Sequence, residues 1–348
     1  STLRLTLFPY TTLFRSRRVT AVKQDDRQFI VECIKSMCEE AVPFWVHKYD
    51  VKGFYESIDA EDLISRLRSD IAFSGQSSRV LDSLFAEFAA QGITGLPRGL
   101  ALSATLSEYL MRGFDHRVSQ LPGVRFYARF VDDIVIITSP CGNAEKFDDD
   151  VRGELPVGLE FNEKSAVAKF LGFQKGSNKP DFEDGFKFLG YSFFVSKAYR
   201  DPGRNKIVRR VEIDISDKKV KKLKTRISRS LIQFRIDGNY LDLRDRIRLL
   251  TSNFTFHDVA TGAKRPSGIY FNYPLVDADL SKALPALDSY LRSAVASPSP
   301  KNKLRPLLPP AQRRELLRLT FTDGFAKKRF FHFPPVRLEQ LKACWAYA

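Results

Sequence analysis

Two adjacent aspartates, Asp132 and Asp133, interrupt the apolar segment YARFVDDIVIIT at residues 127–138. The residues on both sides have the pattern of buried strands, and burying two like charges side by side costs free energy. Two environments would relieve the repulsion: a solvated hairpin turn, in which Asp is a common residue, or a bound cation. The pair alone leaves both interpretations open.

The apolar pattern predicts the elements that would position these carboxylates. Strands are expected at FWVHKYDV (44–51), which ends beside Asp50, on both sides of the aspartate pair, within GLEFNEKS and as a strand pair in FKFLGYSFFV (186–195). Helices are expected over 25–37, after Asp59, through 80–88, from 102 to 118, around 147–155, over 217–235, over 280–291 and near 345. This order predicts an α+β fold with an antiparallel sheet.

Charge and composition favour a polyanionic partner. Of 348 residues, 56 are Lys or Arg and 41 are Asp or Glu, which gives a net charge of +15. We rank nucleic acid first. An acidic lipid surface could also attract the chain, but it would have to be met peripherally, because no run of about 18 uncharged apolar residues is present. Four cysteines make no disulfide framework or zinc-type pair, and the four histidines have no metal-ligand spacing. A cytoplasmic protein is expected.

The first sixteen residues, STLRLTLFPYTTLFRS, lack the features of a signal peptide. They resemble a translated sequencing-adapter fragment. We expect residues 1–16 to be a non-native leader with natural N-terminal residues missing, and we give them no functional role.

Several further motifs follow in a fixed order along the chain. They are YDVKGFYESID (49–59), GLPRGLALS (95–103), the aspartate pair, Lys164 in NEKS, and FLGY (188–191). Their order and spacing resemble the palm of reverse transcriptases, over residues 17 to about 235. Within that family, DVKGFYESID, GLPRGLALSATLSEYL and RFVDDIVII are most similar to the bacterial defence-associated (abortive-infection-like) group. The C-terminal segments RIRLLTSNFTF and KACWAY are similar to the first subunit of its type three system.

The resemblance implies a right-hand polymerase palm, an antiparallel sheet with packed helices. It divides the chain into partial fingers at 17–48, a palm with interleaved fingers segments at 49–200, a helical thumb at 201–250 and a small C-terminal extension at 251–348.

The resemblance also implies a two-metal site. Nucleotidyl transfer uses two Mg²⁺ ions, for which Mn²⁺ can substitute, and these hard cations require oxygen ligands. The matching positions are Asp50 and Asp132 as bridging ligands, Asp133 as the third acidic residue and the carbonyl of Val51. Lys164 matches the lysine that protonates the leaving pyrophosphate.

Nucleotide and primer contacts are implied in the same way. Tyr55, beside Phe54, matches the residue that closes against the 2′-hydroxyl of the sugar and so selects deoxynucleotides. Arg98 stands where many family members carry Gln. The next residue is Gly99, which has no side chain, so the backbone there can closely approach the template–nucleotide pair. Triphosphate cations are expected at Lys23 and Arg27. The primer grip matches Leu189, Gly190 and Tyr191, and the thumb contacts match Lys218, Lys221, Lys222 and Arg226.

Taken singly, each motif has a structural alternative. Asp50 could simply precede a helix, GLPRG could be a loop, the lysine-rich helix could be a solvated face, and Tyr55, Phe54 and the KKRFFHF segment (327–333) could be core rings and a basic edge. The ordered set is what favours the polymerase hypothesis.

Three functions follow as hypotheses. The first is an RNA-directed DNA polymerase in anti-phage defence, with a small non-coding RNA as template, dNTPs as substrates and a DNA product. A second reverse transcriptase subunit and an oligomeric assembly are implied partners, without a membrane. The second is a catalytically weak RNA-binding scaffold, and the third an untemplated or RNA-making polymerase.

Overall fold

The structure is a computed structural model, and it describes residues 20–23, 27–70, 74–140, 142–162, 166–257, 263–297 and 304–346. For residues 20–23, 183 and 184 it describes the backbone alone. The expected leader at 1–16 and Lys164 lie outside the described residues.

The described residues form α+β structure, as expected. The helices are α1 Arg27–Cys38, α2 Ala60–Ser69, α3 Gly75–Ala90, α4 Ala101–Ser119, α5 Ala144–Gly153, α6 Asp217–Asp237, α7 Tyr240–Thr251, α8 Ala283–Ala296, α9 Pro310–Leu317, α10 Phe321–Ala326 and α11 Pro335–Ala343. The strands are β1 Thr20–Lys23, β2 Phe44–Asp50, β3 Val124–Phe130, β4 Asp133–Thr138, β5 Ala166–Phe170, β6 Phe182–Phe188, β7 Tyr191–Ser196, β8 Tyr199–Asp201, β9 Lys206–Val208, β10 Val211–Ile215, β11 Asn253–His257 and β12 Lys264–Gly268.

Five strands form the sheet that carries the aspartates, in the order β1-β3-β4-β2-β5. The sheet is antiparallel except at one edge, where β1 runs parallel to β3. The sequence pattern did not predict β1, so the expected antiparallel sheet is mixed at that edge. At its centre, β4 contributes the fully buried run Ile134–Ile137, which explains why the sequence shows four successive apolar residues there.

Helices α2 to α5 supply side chains to a core that also includes one face of this sheet. The core contains Leu63, Phe85, Leu106, Phe114 and Phe147 from the helices, together with Tyr49, Tyr127 and Ile136 from the strands. Helix α2 begins where expected, because the carboxylate of Asp59 accepts hydrogen bonds from the backbone N–H groups of Glu61 and Asp62, at 2.9 and 3.1 Å.

The chain divides into two compact units. Unit 1 comprises Ser1–Asp184 and Ser196–Arg210, and unit 2 comprises Gly185–Val195 and Val211–Ala348. The segments expected to be thumb and C-terminal extension therefore fall together in unit 2, apart from residues 201–210.

Unit 2 is built around the sheet β10-β7-β6 and the helix pairs α6–α7 and α6–α8. Buried Asp214 of β10 fixes the start of α8, because its carboxylate accepts hydrogen bonds from Ser281 Oγ and from the N–H groups of Lys282 and Ala283, at 2.7 to 2.9 Å. The predicted hairpin in 186–195 is present, and its turn has positive φ at both Leu189 (45°) and Gly190 (82°).

Within the described part of the chain, no helix combines the length and the apolar character needed to cross a membrane.

Candidate active site

The ends of two neighbouring strands bring two of the predicted metal ligands together. Asp50 is the last residue of β2 and Asp133 the first residue of β4, and the antiparallel register pairs them directly. Directly opposed residues of antiparallel strands extend to the same face, with Cβ atoms ~4.5–5.5 Å apart. Their strand neighbours Tyr49 and Ile134 are buried, so both carboxylates lie where the core meets the solvent.

Asp132 occupies the two-residue loop between β3 and β4. Its carbonyl accepts a hydrogen bond from the N–H of Val51 at 3.2 Å, which ties the loop to the chain just beyond Asp50. Burial raises the pKa of the Asp132 carboxyl above its ordinary value, the negative charge of Asp50 raises that pKa further, and Arg98 lowers it. The two carboxylates are therefore close enough for their charges to interact, and a bound cation would relieve the cost.

The first residue of that loop is conformationally strained. Val131 has φ of 59°, a region in which a β-branched residue is a rare outlier. Glycine normally takes the positive-φ positions of two-residue hairpin loops. Strain of this kind costs about 1–3 kcal/mol and is concentrated at functional sites, where the surrounding structure enforces it.

A buried arginine enforces the conformation of this loop. Arg129 of β3 uses all five of its N–H donors: two bonds reach Glu108 at 2.9 Å, two reach Asp115 at 2.8 Å, and one reaches the carbonyl of Val131 at 3.0 Å. Its side chain is 2% exposed. Tyr127 donates a further hydrogen bond to Asp115 at 2.6 Å. Two carboxylates from α4 thus hold the guanidinium that holds the loop.

The side chains present fit a divalent cation only in part. Within the described residues, no group of three or more His, Cys, Asp and Glu is arranged to hold a metal ion. Asp50 instead accepts a hydrogen bond from Asn162 Nδ2 at 2.6 Å. Mg²⁺ is commonly bound by one or two carboxylates together with substrate phosphates and water, and the mutual charge interaction of Asp50 and Asp132 fits that kind of site.

The loop at 91–100 packs directly onto the turn that follows Asp50. Gly95 has φ of 66°, and a Cβ atom at that position would lie 2.3 Å from the carbonyl oxygen of Tyr55. The N–H of Leu96 donates to the same oxygen at 2.8 Å. Arg98 makes a bidentate ion pair with Glu56, at 2.5 and 3.0 Å, and this contact lowers the pKa of the Glu56 carboxyl. Arg98 is thereby kept near Asp132 on the solvent side of the loop.

The two predicted nucleotide-binding rings have different environments. Tyr55 is half-buried, and its ring centroid lies 5.3 Å from that of Phe54. Phe54 itself is only 3% exposed and belongs to the core, so its ring supports Tyr55 and is not presented to a ligand. Gly99 has φ of 89°, and the space around its Cα is open.

The predicted triphosphate cations are described only in part. Arg27 is the first residue of α1. Lys23 ends β1, but its side chain lies outside the described residues, as does the whole of Lys164.

The expected primer grip and thumb lie in unit 2. Gly190 accepts a hydrogen bond from the N–H of Ser216 at 3.0 Å, and Leu189 is half-buried. The ring of Tyr191 is fully buried, with its hydroxyl 3.4 Å from the carbonyl oxygen of Asn272, so this side chain supports the hairpin from inside.

Helix α6 has the expected basic face. Lys218, Lys221 and Lys222 are exposed, whereas Arg226 is half-buried with its guanidinium 5.5 Å from the ring centre of Trp345. Burial lowers the pKa of Arg226. The three lysines are thus exposed to solvent, and Arg226 contributes to packing.

Sequence reasoning missed the residues that hold the site. Arg129 lies among apolar residues near the end of β3, and a buried arginine requires acidic partners, so this signal was available. Glu108 and Asp115, on the helix at 102–118, are those partners. Asn162 and Glu56 gave no comparable signal, because neither residue type nor spacing indicated a partner.

No family model matches the sequence, and no curated protein matches it.

Proposed function

We propose that the chain is an RNA-directed DNA polymerase with a reverse-transcriptase palm in unit 1. One observation carries the proposal: Asp50 and Asp133 are paired at the ends of adjacent antiparallel strands, with Asp132 in the loop between β3 and β4. The ordered motifs around these residues add support. The role in bacterial anti-phage defence rests on the sequence resemblance. The small non-coding RNA template, the second reverse transcriptase subunit and the oligomeric assembly rest on the same resemblance.

Asp50 and Asp132 would hold the divalent cations, with Asp133 and the carbonyl of Val51 as further oxygen ligands. When bound, Mg²⁺ supplies Lewis-acid activation of a primer 3′-hydroxyl and neutralises triphosphate charge. The chain supplies orientation, because Arg129 and the Val51 N–H fix the loop that carries Asp132.

Tyr55 would limit the space beside the sugar, since its ring is half-buried against the core and supported by Phe54. A bulky ring at that position excludes a 2′-hydroxyl by steric overlap. Lys164 is proposed as the acid for the leaving pyrophosphate on the resemblance alone.

The test is a nucleotide-incorporation assay. Purified protein, with and without its co-purifying RNA, is incubated with Mg²⁺ and each labelled dNTP, and extension products are resolved on a gel. We expect wild-type protein to make DNA, Asp132→Asn to make none, and EDTA to abolish synthesis. The matched control is Asp150→Asn on α5, an exposed aspartate outside the site, which is expected to retain activity.

Incorporation that survives Asp132→Asn would contradict the proposal. An RNA-binding scaffold is the second candidate, and it is favoured by the net charge of +15, which supports nucleic-acid binding without catalysis. No product under any condition, combined with tight RNA binding, would select the scaffold. Product made only from rNTPs would select an RNA-making polymerase.

A further inference from the structure

Two segments of unit 2 combine aromatic and basic residues and contain no acidic residue. Residues 263–276 and 327–338 together contain six Lys or Arg, six Phe or Tyr, and no Asp or Glu. The structure places the two segments on either side of β11. The N–H of Asn253 donates to the carbonyl of Arg329, and the carbonyl of Asn253 accepts from the N–H of Phe331, at 2.8 Å each. In β12, Gly268 is the strand partner of the same Asn253. Residues distant in sequence therefore share one surface.

The side chains on this surface form a continuous row, which we call the aromatic–basic patch: Lys328, Tyr270, Phe271, Phe330 and His332. The Lys328 ammonium lies 4.3 Å from the centre of the Tyr270 ring. The centroid distances along the row are 5.4 Å for Tyr270–Phe271, 6.5 Å for Phe271–Phe330 and 5.0 Å for Phe330–His332. Lys328 and His332 are exposed, and the three rings between them are part-exposed.

Alternate residues of 330–333 contact different neighbours, which separates this row from the rings beside it. Phe330 contacts the ring of His332, whereas Phe331 contacts the ring of Phe333, with centroids 6.4 Å apart, in a second pair. The second pair is covered within unit 2, since the guanidinium of Arg248 lies 5.1 Å from the centre of the Phe331 ring. The pair of Phe330 and His332 is the one that a ligand could use.

The chemistry of the row selects its ligand. Part-exposed flat rings offer stacking faces to unpaired bases, and lysine and arginine side chains offer contacts to the phosphates that link those bases. Lys264 and Arg265, both exposed on β12, extend the positive charge along the neighbouring strand. Acidic residues that contact the two segments are themselves paired: Asp323 with Lys327 at 2.8 Å and with Arg329 at 3.8 Å, and Asp242 and Asp245 with Arg337 at 2.7 and 2.9 Å. The surface around the row is therefore complementary to a polyanion that carries aromatic bases.

We propose that the aromatic–basic patch binds single-stranded nucleic acid by base stacking on Phe330 and Phe271, with Lys328, held over the Tyr270 ring, contacting phosphate. Bases in a duplex are already stacked on one another, so they cannot lie against these rings, and single strands are preferred. This surface uses none of the active-site residues. The proposal stands without polymerase activity, because both a polymerase and a scaffold would use such a surface.

The test measures binding without catalysis. A fluorescein-labelled 12-nucleotide oligouridylate is titrated with the full chain in EDTA, without nucleotides, and fluorescence anisotropy gives the Kd. We expect Phe330→Leu to weaken binding by about 5- to 150-fold, because leucine keeps an apolar side chain but loses the stacking face. Phe330→Trp is expected to bind as tightly as wild type. Lys328→Gln is expected to lower the slope of log Kd against log salt by about 0.7, the value for one phosphate contact on a single strand.

Phe182→Leu is the matched control, since Phe182 is 37% exposed and lies outside the patch. Its Kd should equal the wild-type value. Independently, the wild-type chain is photo-crosslinked to a 4-thiouridine-labelled strand, and adducts are expected in peptides from 263–276 and 327–338. Equal affinity in Phe330→Leu and Phe330→Trp, an equal effect of Phe330→Leu on the binding of a blunt duplex, or adducts confined to other peptides would each overturn the proposal. Preferential capture of an acidic peptide over the oligonucleotide would also overturn it.

Discussion

Replacing Arg129 should separate the stability of unit 1 from the positioning of the loop that carries Asp132, the proposed catalytic residue. In Arg129→Met, Glu108 and Asp115 lose their buried cation. Breaking one partner of a buried ion pair costs about 3–5 kcal/mol. For a domain of 150–250 residues this corresponds to a fall in melting temperature of about 6–20 °C, measured by circular dichroism.

The activity loss has a different source. Arg129→Met also removes the hydrogen bond to the Val131 carbonyl, and hydrogen bonds to charged groups contribute about 1.5–3 kcal/mol. If that energy holds the strained loop, kcat for dNTP incorporation falls by about 10- to 150-fold. We expect the KM for dNTP to change little and the Mg²⁺ concentration for half-maximal rate to rise, because the loop carries the proposed metal ligand Asp132.

A triple variant distinguishes the two effects. Arg129→Met combined with Glu108→Gln and Asp115→Asn removes the unpaired charges, so most of the melting temperature should return. The low kcat should remain. Recovery of both quantities would show that Arg129 only neutralises charge, and an unchanged melting temperature in the single variant would show that the ion network does not stabilise unit 1. Arg129→Lys should be intermediate, because one ammonium cannot reproduce the five-bond fork.

Three other substitutions have equally definite outcomes. Gly95→Ala should lower the melting temperature and the rate of dNTP incorporation much more than Gly92→Ala. Both glycines have positive φ, but of the two only a Cβ atom at position 95 would overlap the carbonyl oxygen of Tyr55. Equal losses would refute the close packing of the loop at 91–100 on the turn that follows Asp50. Asp132→Asn should raise the melting temperature at pH 7 while abolishing activity, because the raised pKa of Asp132 means that its ionised form is disfavoured by folding. The gain in melting temperature is expected above the raised pKa of Asp132 in the folded state, and it should disappear as the pH falls toward the ordinary aspartate pKa of about 3.9. A lower melting temperature of Asp132→Asn at pH 7 would contradict this prediction. Tyr55→Ala should admit rNTPs in the incorporation assay. Continued rejection of rNTPs would contradict the proposal that the Tyr55 ring excludes the 2′-hydroxyl.

The elements with clear periodicity were predictable from the sequence. Helix α6 follows from its apolar stripe, and Ile227, Leu231 and Phe234 are buried as that stripe requires. Its termination follows from Gly238, which adopts the left-handed conformation. The strands on both sides of the aspartate pair follow from their apolar runs.

The missed features depend on contacts between distant segments. Strand β1 has only four residues, too few for a pattern, and its place is set by parallel pairing with β3, about a hundred residues later. The register of Asp50 against Asp133 is equally non-local, because a shift by one residue would turn one carboxylate to the opposite face. The burial of Phe54 and Tyr191 could not be predicted either, since ring type and motif position are the same for a ligand-binding ring and a core ring.

The division of the chain into units has a consequence for how the protein is made. Unit 1 contains Ser196–Arg210, so the backbone passes between the units at three points. Arg209, in that returning segment, donates to the carbonyl of Leu171 at 2.6 Å and lies 4.9 Å from the ring centre of Phe44. During synthesis on the ribosome, unit 1 therefore stays incomplete until residue 210 has emerged, by which time the first strands of unit 2 are already exposed. Ending a gene fragment at residue 184 would leave the Phe44 side of the sheet uncovered, so fragments meant to isolate unit 1 need residues 196–210 joined back to them.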